Sequence, residues 1–302
     1  MRFKFGGLMP GDQNCGEAAY VILHDRLETK AAISELDLRK PQRMSAGRTR
    51  AQLKGAPDYD DPSFWDTKFA TGQDVGEWLN PGEILLDAVI SFLELSATAT
   101  QNRPRVLHLG PGISRLGTKV RDAFSERGWM GNGIVNVDFS SEAVRLGQEV
   151  ESKQDPSQAM HWQRVDLRSW TDVSRLHTFA PFDVILDKST SDAIATSSPV
   201  SFTPESSRSD ICPTVHNIVC RNEEAVTIPP VELLAMHLVP LTRKGSKWFV
   251  LSYSTMRFDN LSDLSVYWEV ISRIPLEAPR GSTASGAHTP PVYHWMYTLQ
   301  RK

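Results

Sequence analysis

The sequence predicts an α/β protein built on an open, mostly parallel sheet, and two observations carry that expectation. The first is the run Arg105-Val-Leu-His-Leu-Gly-Pro-Gly-Ile-Ser-Arg-Leu-Gly117, which reads as strand, glycine turn and helix start. Val106, Leu107 and Leu109 form the apolar run expected of a strand covered on both faces. Gly110 and Gly112 leave the backbone bare where it must bend and lie against a ligand. Ser114 can cap a helix running through Val120, Arg121 and Phe124 to a stop at Gly128. The second observation is that three later apolar runs, 133–139, 160–167 and 182–189, each close on an acid: Asp138, Asp166 and Asp187. Acids at the tips of successive parallel strands gather at one sheet edge, where open α/β sheets bind ligands.

A glycine turn alone serves geometry whether or not anything binds. Asp138 adds chemistry, because an acid at the tip of the second strand can accept both hydroxyls of an adenosine ribose. Its distance from Gly112 exceeds the usual roughly 20 residues, and the loop Gly128–Gly133 absorbs the excess. Arg115 occupies the third glycine position of Gly-x-Gly-x-x-Gly, which disfavours a nicotinamide dinucleotide. S-adenosylmethionine, with S-adenosylhomocysteine as its product, fits better. Asp166 or its neighbouring backbone can read an adenine amino group, or Asp166 is simply a turn aspartate.

The 302 residues suffice for one large α/β domain or two small ones, and an apolar fraction of 40% supports a packed core. A net charge of −3 gives no electrostatic footprint for nucleic acid or for a membrane surface. Cys15, Cys212 and Cys220 are too few and too scattered for a disulfide framework, which points to a reducing, cytoplasmic setting. No signal-peptide core and no apolar run of membrane-spanning length is present in the sequence. The expected partner is a methyl acceptor, with the oligomeric state open.

Residues 1–57 read as an N-terminal extension. Ala18–Leu38 has helical spacing through Ala19, Val21, Ile22 and Leu27. Residues 39–54 are basic but lack interleaved aromatic rings, so they read as a solvated linker rather than a nucleic-acid patch. The domain proper, 58–302, opens with Asp61–Phe69, then Glu77-Trp78 and a helix over Glu83–Leu95. Phe64, Trp65 and Phe69 staple an N-terminal helix to the domain, form a lid whose ring faces meet a sulfonium cation, or do both at once. Ser140–Val144 opens a helix with a capping pattern. Residues 195–229, rich in Ser, Thr and Pro, read as a loop or insertion. Inside it Cys212, His216 and Cys220 would share one face of a helix, but a fourth ligand is missing and no metal is expected. Pro230 starts the next helix, to Leu241, with His237 at the edge of the core. Trp248–Tyr253 is a fifth strand, and Leu261 to about Val270 a helix running into Ile271, Ile274 and Leu276. These residues and Val292–Leu299 look like an antiparallel pair closing the sheet.

The segments 105–117, 134–139, 165–167 and 182–194 resemble the seven-β-strand, class I S-adenosylmethionine-dependent methyltransferases. The likeness is greatest to the methyltransferase-like branch acting on lysines of translation elongation factor 1A. That branch has an aromatic-Trp-Asp block matched by Phe64-Trp65-Asp66 and an acid-Trp pair matched by Glu77-Trp78. Its glycine turn is matched by Val106–Ser114, its Ile-Val-Asn-Val-Asp by residues 134–138, and its Asp-Lys-Gly-Thr-Leu-Asp-Ala block by Asp187–Ala193. The resemblance spans roughly residues 61–302. It implies a Rossmann-like seven-stranded sheet, mostly parallel with an antiparallel C-terminal strand and helices on both faces. It also implies a protein lysine N-methyltransferase. The alternatives are a small-molecule methyltransferase on the same fold and a non-catalytic cofactor-binding module. Around the cofactor we expect Trp65, Phe69, Gly110, Gly112, Arg115, Asp138, Phe139, Asp166, Leu167 and Asp187, with Asp187 also aligning the acceptor as the catalytic residue. Several positions depart from the family pattern: His108 for an acid, Pro111 for Cys, Ile113 for Asn, Leu79 for an aromatic, and Ser189 and Ser191 for Gly and Leu.

Overall fold

The structure, a computed structural model, describes residues 59–72, 77–96, 103–206, 210–222, 225–278 and 291–302. These all belong to the compact unit Gly55–Lys302. The expectations for residues 1–57 and for the connection 279–290 lie outside the described residues.

In chain order the elements are α1 (Pro62–Thr71), α2 (Glu83–Ser96), β1 (Val106–Leu109), α3 (Leu116–Glu126), β2 (Ile134–Asp138) and α4 (Ser141–Glu151). Then come β3 (His161–Arg164), α5 (Trp170–Val173), β4 (Phe182–Lys188), α6 (Thr190–Ile194), β5 (Val200–Phe202) and α7 (Pro213–Asn222). The chain continues through β6 (Val226–Ile228), α8 (Pro230–Leu238), β7 (Thr242–Ser252), α9 (Leu264–Tyr267), β8 (Trp268–Glu277) and β9 (Tyr293–Arg301).

Seven strands form one sheet in the order β3-β2-β1-β4-β7-β9-β8. β3, β2, β1, β4 and β7 pair in parallel, while β9 runs antiparallel to both β7 and β8. This is the Rossmann-like seven-stranded arrangement expected from the sequence. Strand order reverses between β1 and β4, so a crevice forms beyond their carboxyl ends.

Side chains alternate between the two faces, and each face has its own core. On one face Leu107, Val135, Ile185 and Trp248 pack with α7 and α8. On the other Val106, Ile134, Val184 and Phe249 pack with α2 and α3. Covering on both faces explains why these strands read as continuous apolar runs.

Two expectations change. The helix over Leu261–Val270 shrinks to the single turn α9, and β8 begins at Trp268. The Trp268 indole is buried and donates to the Ala235 carbonyl at 3.0 Å, while Val270 pairs with Leu299. Pairing with β9 outweighs local helical preference. The segment 195–229 is more ordered than a loop: β5 and β6 pair antiparallel, and α7 buries Thr214, Val215, Ile218 and Val219. Cys212 turns inward and donates to the Met236 carbonyl at 3.4 Å, whereas Cys220 is exposed beside His216. The three residues of that motif therefore do not converge.

α1 is fastened to α4 by polar contacts. Asp66 accepts from Ser140 Oγ at 2.6 Å, Ser141 Oγ at 3.0 Å and the Glu142 N–H at 3.0 Å. Ser140 Oγ in turn accepts the Ala143 N–H at 3.1 Å, the cap read from the sequence. Asp66→Ala strips this second cap and frees the N–H of Glu142. The expected cost is about 1–2 kcal/mol of stability, read as a lower urea midpoint at unchanged slope.

Candidate functional site

Gly110, Phe139, Val165, Ser189 and Tyr253 are the first residues beyond β1, β2, β3, β4 and β7, and all five line one cleft of about 340 Å³. That volume lies within the roughly 300–1,000 Å³ of small-molecule sites. The N-terminal segment adds aromatic walls from Tyr59, Trp65, Phe69 and Trp78. Trp65 lies 5.9 Å from Tyr59, 5.6 Å from Phe69 and 6.3 Å from Trp78, centroid to centroid.

The glycine turn is shaped by the protein's own neighbours. Gly110 (φ 50°) donates to the Val137 carbonyl at 2.8 Å, and a Cβ there would stand 2.4 Å from Thr190 Oγ1. A Cβ on Gly112 (φ 53°) would stand 2.9 Å from the tip of the Phe69 ring. Both positions thus require glycine for close approach as well as for backbone angle. Across the turn, Gly112 N–H donates to Asp138 Oδ2 at 2.9 Å, and Ser140 N–H donates to Asp138 Oδ1 at 2.9 Å. Burial pushes the Asp138 carboxyl up to about 6 in spite of these two donors.

Glu77 closes the other side of the turn. One oxygen accepts the Arg115 N–H at 2.8 Å; the other accepts Ser114 Oγ at 2.8 Å and the Lys188 ammonium. Burial works to raise its pKa, and these bonds outweigh it, leaving the carboxyl below its ordinary value. His108 sits under the turn, fully buried, with Nδ1 2.9 Å from Asn136 Oδ1; burial lowers its pKa to about 4.

The structure brings Trp65, Phe69, Gly110, Gly112, Asp138, Phe139, Asp166 and Leu167 to the cleft. Two expected residues do not reach it. Arg115 is exposed and engages Glu77 through its backbone. Asp187 is wholly buried beneath the floor, where it accepts the N–H groups of Thr190 at 2.8 Å and Ser191 at 3.3 Å. It therefore holds the start of α6 and does not face an acceptor. Burial, with the charge of Asp192 next, pushes the Asp187 carboxyl up to about 7. Asp166 is clamped by Arg168, whose Nη2 lies 2.9 Å and Nε 3.0 Å from its oxygens. An adenine amino group would have to compete for that carboxylate. His237 is buried with Nδ1 2.9 Å from the Leu167 carbonyl, a core position.

Sequence reasoning passed over Lys188, Asp192 and Tyr253 as cleft residues. The signal that finds Tyr253 is positional, since the residue after a parallel strand meets the ligand edge whatever its chemistry. Lys188, the last residue of β4, and Asp192, inside α6, carry no such signal. Ser189 adopts the left-handed conformation (φ 71°) that glycine takes without strain, which fits the glycine found there in the resembling family.

No family model matches the chain, and no curated protein matches it. Among solved structures, a SAM-dependent methyltransferase from Anabaena variabilis shares 11% identity over 81% of this chain and 95% of its own, with TM-score 0.46. A putative class I S-adenosylmethionine-dependent methyltransferase from Listeria monocytogenes shares 14% over 83% and 70%, with TM-score 0.43. The N-methyltransferase NodS from Bradyrhizobium japonicum, in complex with S-adenosyl-L-homocysteine, shares 12% over 79% and 97%, with TM-score 0.41. The fold assignment rests on the strand order given above.

Asp187 makes stability depend on pH. Its pKa of about 7 exceeds the ordinary 3.8, so folding favours the protonated form. That contribution is present at low pH and is lost as pH rises through about 7. Asp187→Asn keeps an acceptor for the Thr190 N–H and cannot ionise. Between about pH 5.5 and 7.5 the wild type should lose more stability than the variant in paired urea titrations. Equal losses would mean that Asp187 does not titrate there.

Proposed function

We propose that the chain is an S-adenosylmethionine-dependent methyltransferase acting on protein lysine. The observation that supports the cofactor best is Asp138, at the tip of β2 and bonded to the glycine turn of β1, beside the cleft at the strand-order reversal. Each Asp138 oxygen takes one backbone N–H, which leaves an acceptor direction on each for a vicinal diol. Trp65 and Phe69 supply the apolar cover. When bound, the cofactor supplies an electrophilic methyl group.

What this chain does is position the acceptor and exclude water. A lysine, with an ordinary pKa of about 10.4, must lose its proton near pH 7 at a cost of about 4–5 kcal/mol. Loss of water on entering the cleft disfavours the ammonium. Two cleft carboxylates are already engaged, Asp166 by Arg168 and Asp192 by Arg257, so neither rewards a charged amine. Trp78 and Tyr253, 43% and 51% exposed, suit a side chain reaching in from a polypeptide. We also propose that residues 1–57 form an extension to this domain. Among the described residues no helix is long and apolar enough to cross a membrane.

S-adenosylhomocysteine titrated into the protein should bind, and Asp138→Ala should weaken it about 10- to 100-fold, from roughly 1.5–3 kcal/mol of charged hydrogen bonding. Because the ionised carboxylate accepts the hydroxyls, wild-type affinity should climb with pH up to about 6 and level off above it. Absence of binding would remove the cofactor reading. Radiolabelled cofactor offered to a protein extract and a metabolite extract then tests the acceptor: label in a protein band supports lysine, label in extractable material a small molecule. No transfer despite binding indicates a non-catalytic module.

A further inference from the structure

We propose that Tyr253 is the acceptor-side selectivity residue of the cleft, and that Asp192 and Arg257 are positioning residues that hold it there. The proposal rests on the methyltransferase reading.

Sheet order gives the placement. Asp138 ends β2 and Tyr253 follows β7, with the ends of β1 and β4 between them, and β7 is the last strand on that side to line the cleft. A ligand held at Asp138 leaves the β4–β7 end for the acceptor. Tyr253 stands at that end with half of its surface open.

Its position is determined by a buried network. Asp192 Oδ2 accepts Ser189 Oγ at 2.6 Å and the Tyr253 N–H at 3.1 Å. Its Oδ1 accepts Ser252 Oγ and Arg257 Nε, the latter at 2.7 Å. The Arg257 guanidinium lies 5.5 Å from the Tyr253 ring centroid, a cation–π distance. The loop is held from its far side as well. Tyr297 Oη donates to the Ser254 carbonyl at 2.7 Å and accepts the Arg257 N–H at 3.3 Å. Side chains of Asp192 and Arg257 are 3% and 10% exposed, so both charges have given up most of their water. Such a pair is costly to bury and contributes little net stability. Its consequence at the surface is one aromatic ring fixed at the cleft mouth. Arg257 occupies one ring face, and the exposed half of Tyr253 is left for the acceptor arm.

The test compares three ligands on the whole chain: S-adenosylhomocysteine, a nitrogen-bridged adenosyl analogue carrying an aminobutyl arm where the methyl would leave, and the same analogue without the arm. Wild type should bind the arm-bearing compound at least about tenfold more tightly than the same compound lacking its arm, a gain of roughly 1.4 kcal/mol. Tyr253→Ala should abolish that gain and leave S-adenosylhomocysteine affinity within twofold. Tyr253→Phe should keep most of the gain. Arg257→Gln leaves the buried Asp192 charge without its partner and lowers the melting temperature. At a temperature where that variant is folded it should nevertheless lose the gain while keeping S-adenosylhomocysteine affinity within twofold, a split that mere destabilisation would not produce. An arm that adds nothing in wild type, or as much in Tyr253→Ala, overturns the assignment. Failure of wild type to bind S-adenosylhomocysteine sinks the methyltransferase reading instead.

Discussion

The hydrogen bond from the Gly112 N–H to the Asp138 carboxylate holds the ends of β1 and β2 in one geometry, and the rest of the cleft is assembled around it. The turn between them has no side chains of its own at Gly110 and Gly112, so its shape must be imposed from outside. Thr190 presses on it from α6, Phe69 from α1, and Glu77 ties its exit to Lys188 on β4. Three sequence-distant segments thus converge on a few bare peptide units. A residue with a Cβ at either glycine would displace a neighbour as well as strain the backbone.

The N-terminal helix and the acid-Trp pair consequently serve two purposes. Asp66 and Glu77 are fasteners: one caps α4, the other clamps the glycine turn. Trp65, Phe69 and Trp78, carried on the same segment, are thereby held as walls of the cleft. The same aromatic block thus packs against the glycine turn and walls the cleft, as the combined reading of the sequence allows. Aromatic side chains give large contact area for few rotatable bonds, so a small fastening network suffices to place them.

The strands, the glycine turn and the Ser140 cap were legible because each depends on neighbours within a few residues. What was misread depends on which partner takes a side chain or pairs with a strand, near or far in the sequence. Asp187 carries the right chemistry at the right strand end, but Thr190 and Ser191 take its carboxylate, and α6 covers it. Asp166 was placed correctly, yet Arg168, two residues on, occupies it. Asp138 and Asp166 line the cleft while Asp187 lies beneath it, so an acid at a strand tip is not by itself a guide, whereas the residue following β1, β2, β3, β4 and β7 reaches the cleft in every case. The single turn α9 and the strand after it escaped notice because β9, not local pattern, decides the conformation of Trp268–Glu277. The burial of α7 was masked by the Ser- and Pro-rich residues around it.

The position of β9 has a consequence for how the sheet is put together. It follows β8 in the chain but lies between β7 and β8. β8 thus finds no place in the sheet until β9 has zipped along β7, and the hairpin-like pair must dock as a unit or in reverse chain order. Non-local pairings of this kind slow assembly. Tyr253, just beyond the end of β7, thus stands next to a strand contributed by the last residues of the chain.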